Sequence, residues 1–137
     1  MDSIAFVKGH GTHNDFVLLP DADGTLELTA ELAIALCDRR GGIGADGVLR
    51  VVRTTADADA TAMADQATWF MDYRNSDGSL SQTCGNGLRV FARYLLDAGL
   101  AEPGRLPIAT RAGIVTAWAD LDGDITVDMG PSAISGA

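Results

Sequence analysis

Short runs in which apolar and polar positions alternate cover most of the chain, and two stretches replace that alternation with a helical period. Residues 4–8 and 15–19 read as two short strands, separated by the turn-rich stretch Gly9-His10-Gly11-Thr12-His13-Asn14. Asp21-Ala22-Asp23-Gly24 is a turn, and Thr29 suits the N-cap of a helix running to about residue 39. Glu31 in its first turn complements the helix dipole, and Gly41-Gly42-Ile43-Gly44 ends it before a strand over 48–53. Residues 54–66, rich in Ala, Asp and Thr without a clear period, are expected as an exposed insertion, with a short helix as the alternative. A strand over 68–73 leads to Asn75-Ser76-Asp77-Gly78-Ser79 and then to Thr83-Cys84-Gly85-Asn86-Gly87. From there a helix is predicted to Gly99. Leu88, Phe91 and Leu95 mark one face, and Val90, Tyr94 and Leu96 widen it, which leaves Arg89, Arg93 and Asp97 as a narrow polar edge. A helix apolar on most sides belongs at a domain centre. Strands over 106–110, 114–119 and 125–129 follow, with Asp122-Gly123 as a hairpin turn. The expectation is a mixed α/β (α+β) domain of six or seven strands and two main helices.

Size and charge narrow the partners. At 137 residues the chain fits one domain, and its formal net charge of −9 argues against nucleic acid, which wants a basic face. No apolar run approaches the ~20 residues of a membrane-spanning helix, and the N-terminus has no signal-like pattern. Cys37 and Cys84 alone make no disulfide framework, so a cytoplasmic location is expected. The one lysine, Lys8, stands in the first strand with no phosphate loop, which speaks against pyridoxal phosphate; no cofactor is expected.

Candidate chemistry centres on Cys84. It sits at a helix start between a turn-forming segment and two glycines, where free N–H groups and the helix dipole lower a thiol pKa to ~3.5–7.5. Gly85 and Gly87 let an anionic group approach those N–H groups closely. An ordinary turn is the competing reading. Cys37 follows Leu32, Ala33 and Leu36 on an apolar helix face and reads as a small buried hydrophobe. Asn14 and Asn75, each at a strand edge beside an acidic or polar neighbour, suit either turn chemistry or the neutral grip of a polar substrate. His10 and His13 lack further partners for a metal, and Asp57, Asp59 and Asp65 read as a solvated surface.

Four stretches, in order, resemble diaminopimelate epimerase, a cofactor-independent amino-acid epimerase family. They are the segment from Phe6 to Phe16, the segment from Asp38 to Gly47, Tyr73-Arg74-Asn75-Ser76-Asp77-Gly78-Ser79, and Gln82-Thr83-Cys84-Gly85-Asn86-Gly87-Leu88-Arg89. The resemblance implies a sheet wrapped around a central helix and a reaction in which two cysteines act on opposite faces of the substrate α-carbon. Cys84 matches the first of them. Gly85 and Asn86 match positions whose backbone donors hold the α-carboxylate, and Asn14 and Asn75 match substrate-binding asparagines. Some members carry Gln where Gly47 stands, and His13 replaces a residue that is often Gly. Family members continue into a second, similar domain that supplies the other cysteine. Residues 1–130 are therefore expected as an N-terminal epimerase domain and 131–137 as the start of an interdomain linker. The implied partners are a small diamino dicarboxylate, that second domain and a second copy in a homodimer. Two alternatives stay open: a related two-cysteine racemase of another amino acid such as proline, or a half-domain that binds a ligand or partner without catalysis.

Overall fold

The computed structural model describes residues 5–11, 14–80, 85–120 and 125–128. Among the described residues seven strands form one sheet in chain order: β1 (Val7–His10), β2 (Asp15–Pro20), β3 (Gly47–Arg53), β4 (Trp69–Asn75), β5 (Gly104–Thr110), β6 (Gly113–Ala119) and β7 (Ile125–Asp128). Neighbours run antiparallel except at two steps, β2–β3 and β4–β5, which are parallel. A parallel step needs a crossover, and helices supply both: α1 (Ala30–Cys37) the first and α2 (Gly85–Asp97) the second.

The two helices cover opposite faces of the sheet. Leu88, Phe91 and Leu95 of α2 pack with Phe16, Leu18, Leu49, Met71 and Ile108 from successive strands. The sheet curls far enough that α2 touches β1 and β7 as well as β2, β3 and β6. The alternate residues of β2 and β3, namely Val17, Leu19 and Val48, face outward onto Ala33 and Cys37 of α1. Both faces of the central strands are thus buried, which explains why they read as near-continuous apolar runs. The sheet around a central helix matches the expected architecture. No helix among the described residues is long and apolar enough to cross a membrane.

Local signals set the helix ends. Thr29 Oγ1 accepts the N–H of Leu32 at 3.1 Å, the predicted N-cap of α1. Beyond α2, Gly99 takes φ +73°, and Leu100 N–H reaches back to Leu95 O at 2.8 Å, a Schellman ending. Helix α1 stops at Cys37, two residues short of the predicted end, because Asp38 leaves helical geometry.

Two expectations need correction. The first described strand runs over Val7–His10 and takes in part of the predicted turn, because Gly9 pairs with Phe16 and His10 with Asp15. Residues 54–66 are more than an exposed insertion. They form two single-turn 3₁₀ segments, Thr54–Ala56 and Thr61–Met63, and Ala60 packs with Val52, Phe70 and Ala109 over the outer face. Asp57 and Asp59 are paired with Arg50 and Arg111, whereas the neighbouring Asp65 is exposed. The predicted turn Asp122-Gly123, and the segment from Met129 to Ala137 with its expected linker, lie outside the described residues.

Between the two outer apolar clusters runs a buried ionic seam. Arg50 sits directly across from Asp72 in the β3–β4 register and donates to Asp21 (2.9 Å), Asp57 (2.9 Å) and Asp72 (3.1 Å). Asp21 also accepts the N–H groups of Thr25 and Leu26, each at 2.9 Å. Burial pushes the Asp21 carboxyl upward, but the Leu26 N–H, Arg50 and the Thr25 N–H outweigh it and hold it below the usual range. A folded-state pKa below the unfolded value, ~3.9, gives stability that is complete above that value and lost as pH falls through the folded one. Asp21→Asn is therefore expected to lower the Tm at pH 6, with the gap to wild type narrowing towards pH 3. A gap that stays constant in thermal unfolding across that range would refute the assignment.

Candidate functional site

At one end of the sheet the starts of β2 and β3 and the finish of β4 meet the start of α2. The chain gets there through charge. Asp15, the first residue of β2, accepts two hydrogen bonds from Arg39 (3.0 and 2.8 Å) and pairs with Lys8 of β1 at 3.1 Å. The Arg39 guanidinium, with Lys8 beside it, holds the Asp15 carboxyl well below the usual carboxylate range and raises Arg39 in turn. Lys8 also donates to Gly44 O, tying the α1–β3 loop to the first strand. The loop arrives with Asp46 N–H on Asp15 O (2.9 Å) and on Asp15 Oδ1 (3.1 Å).

On this frame the predicted residues come together unequally. Asn14 and Asn86 meet directly: Asn86 Nδ2 donates to Asn14 Oδ1 at 2.8 Å, joining residues 72 apart in sequence. Asn14 Nδ2 donates in turn to Asp46 Oδ2 at 3.2 Å. Arg89, one turn into α2, donates to Asn86 Oδ1 at 3.4 Å. Asn75 ends β4, opposite Gly47, and its amide donates to Ser79 Oγ at 3.0 Å, the turn use of that side chain. Its neighbour Ser76 donates its N–H to Asp46 O at 3.1 Å, which ties this loop to the same centre. Gly85 is the first described residue of α2, and among the described residues the first backbone N–H groups there lack intrahelical partners. Cys84, the residue before it, lies outside the described residues, as do Thr12 and His13.

Gly47 has a packing reason. A Cβ there would lie 2.7 Å from Tyr73 Cε1 and 3.0 Å from Arg74 O, so a side chain requires the Tyr73 ring to move. Cys37 is buried in the α1 cluster, and burial pushes its thiol up, away from thiolate chemistry. A groove of about 620 Å³ runs between β1 and α2, lined by Lys8, His10, Arg89 and Tyr94 among others. Among the described residues, none of the predicted site residues lines it, so the site rests on the hydrogen-bonded cluster at the strand ends. Among the described residues no group of three or more His, Cys, Asp or Glu is placed to hold a metal.

The sequence reading missed Asp46, Asp15, Arg39 and Lys8 as a group. Each lies inside or beside a quoted motif, but their mutual contacts span up to 31 positions and carry no local pattern.

A family profile described as diaminopimelate epimerase matches residues 6–134. A diaminopimelate epimerase from Thermobifida fusca is 59% identical over 135 residues, covering 96% of this chain and 49% of that protein. One from Streptomyces coelicolor is 56% identical over 127 residues, covering 93% of this chain and 44% of that protein. The chain spans about half the length of the curated relatives it matches. Among solved structures, a Bacillus anthracis phenazine biosynthesis protein of the PhzF family aligns with TM-score 0.63 at 23% identity, covering 93% of this chain and 40% of that one. A hydroxyproline epimerase from Agrobacterium vitis aligns with TM-score 0.64 at 14% identity, covering 92% and 41%. At such identities these two show a shared fold alone.

Proposed function

The chain belongs to the diaminopimelate epimerase family, and on that premise we propose that it supplies one half of a two-thiol site that inverts the α-carbon of diaminopimelate. In this reading Cys84 Sγ, as thiolate, takes the α-proton. The C–H electron pair stays with the α-carbon and delocalises into the adjacent carboxylate. A thiol S–H from the remainder of the protein then gives a proton to the opposite face. One C–H bond breaks and one forms, nothing is oxidised or reduced, and no cofactor is consumed. For the reverse direction the thiols exchange roles.

The start of α2 is suited to the charge that develops. The N–H groups of Gly85 and Asn86 have no helical partner among the described residues and can hold the α-carboxylate as negative charge builds there, where losing one such donor costs ~10²–10³ in rate in other enzymes. The same unpaired N–H groups lower the pKa of a thiol at the preceding position. Asn14 and Asn75 are assigned to the substrate's polar groups; neutral amides orient a substrate that is charged at both ends without competing for its protons. The reaction serves lysine and cell-wall precursor synthesis in the cytoplasm.

The observation that carries this reading is the Asn86–Asn14 hydrogen bond, which closes two separate family motifs around the helix start that follows Cys84. A proline-type racemase is the weaker reading. The chain is 46–59% identical to diaminopimelate epimerases and 14% identical to the hydroxyproline epimerase that shares its fold. The test is solvent deuterium entering the substrate α-position with the full-length protein. Incorporation into diaminopimelate, with proline exchanging at least 100-fold more slowly by ~2.7 kcal/mol or more of discrimination, is the expected outcome. Preferred exchange into proline would favour the racemase, and exchange into neither would leave a binding module.

A further inference from the structure

We propose that Asp46 is a positioning residue for this site: its carboxylate fixes which way round the Asn14 amide is presented to the substrate. The inference rests on the functional reading above and deepens it.

A primary amide is nearly symmetric in shape, so an asparagine at a binding site can present its oxygen or its NH₂ to a ligand unless something decides between them. Here both ends of a hydrogen-bonded chain decide. A guanidinium only donates and an ionised carboxylate only accepts. The chain begins at Arg89, which donates to Asn86 Oδ1 at 3.4 Å. Asn86 Nδ2 then donates to Asn14 Oδ1 at 2.8 Å, and Asn14 Nδ2 donates to Asp46 Oδ2 at 3.2 Å. Every step has one direction. Turning the Asn14 amide over would set its oxygen against the Asp46 carboxylate and its NH₂ against that of Asn86.

Asp46 is itself held in place. Asp15 N–H donates to Asp46 Oδ2 at 3.2 Å, and Arg39 Nη2 reaches Asp46 Oδ1 at 3.3 Å, so each carboxylate oxygen has a donor. Its backbone joins both asparagine loops, with the N–H on Asp15 O and the carbonyl accepting Ser76 N–H, next to Asn75. An amide offers two N–H groups and two oxygen lone pairs, and the internal chain uses one of each on Asn14. What is left for a substrate is one N–H and one lone pair, in a fixed arrangement. A binding site that is already oriented loses less freedom when ligand arrives, so the effect belongs in affinity.

Two variants of the full-length enzyme separate this role from a merely structural one. Asp46→Leu removes the acceptor and is expected to raise KM for diaminopimelate about tenfold, the equivalent of one lost hydrogen bond, with kcat unchanged. Asp46→Asn keeps an oxygen towards Asn14 Nδ2 and Asp15 N–H while removing the charge, and is expected to recover most of that KM. An Asp46→Leu enzyme with wild-type KM would overturn the inference, as would a parallel loss of kcat and KM that Asp46→Asn does not relieve. The Asn14 side-chain NH₂ signal in a ¹⁵N spectrum gives a readout that does not depend on turnover. In the wild type it is expected to exchange slowly with solvent, and a freely exchanging signal there overturns the inference without any variant. If the wild type turns over no diaminopimelate, the functional reading falls by itself and the amide signal still decides the role of Asp46.

Discussion

Cys84→Ala in the full-length enzyme is expected to lower kcat for diaminopimelate by about 10²–10⁴-fold, the usual worth of a positioned proton carrier. On the proposed mechanism, alanine removes the group that carries the α-proton on this face and leaves in place the N–H groups of Gly85 and Asn86, assigned there to the α-carboxylate. Substrate binding should therefore survive, with deuterium exchange into the α-position lost alongside turnover. Cys37→Ala is the internal control. That thiol is buried in the α1 cluster with its pKa pushed up by burial, and turnover should stay largely intact. Stopped assays on the two variants side by side decide it. Wild-type turnover in Cys84→Ala would remove the two-thiol mechanism.

Arg50→Leu is expected to destabilise the fold by roughly 3–5 kcal/mol, because it leaves carboxylates buried without their partner. Set against ~5–15 kcal/mol for a whole domain, that is a large fraction. Arg50 is buried, as are the carboxylates of Asp21 and Asp72, so solvent does little to screen the loss. Burial pulls the Arg50 pKa down, but Asp57, Asp21 and Asp72 outweigh it and the guanidinium stays charged. Arg111, stacked over the Phe70 ring at 5.2 Å, still donates to Asp72 at 2.6 Å and limits the damage on that side. Adding Asp72→Leu should recover part of the loss, since an apolar cross-strand pair then replaces an orphaned charge. Denaturant midpoints of the full-length protein read the effect. A single variant with the wild-type midpoint would show the seam to be energetically idle.

The ionic seam also shows where sequence reading stops. A lone charge in the middle of two apolar strands, Arg50 and Asp72, is visible in the residues; that they face each other depends on the β3–β4 register. The same holds for residues 54–66, whose composition reads as solvated although Ala60, part of an outer apolar cluster, and Thr54 are buried. Composition reports average polarity, and a few small side chains at the right places are enough to seal a face.

Elements governed by near neighbours along the chain were determined by the sequence itself. The Thr29 cap, the period of α2 from Leu88 to Leu95 and its Gly99 ending all depend on contacts within about five positions, and all stand in the structure. The central place of α2 was legible too, because a helix apolar on most sides belongs at a domain centre, whereas the wrap of the sheet around it was implied by the family resemblance. The candidate site divides along the same line. Asn14, Asn75, Gly85 and Asn86 were visible as turn and helix-start residues. That Asn14 meets Asn86, that Asn75 spends its amide on Ser79, and that Asp46 joins both loops were decided only by tertiary structure. Hydrogen bonds across 32 and 72 positions leave no periodic trace, since they form wherever the folded sheet and the helix bring strand ends together.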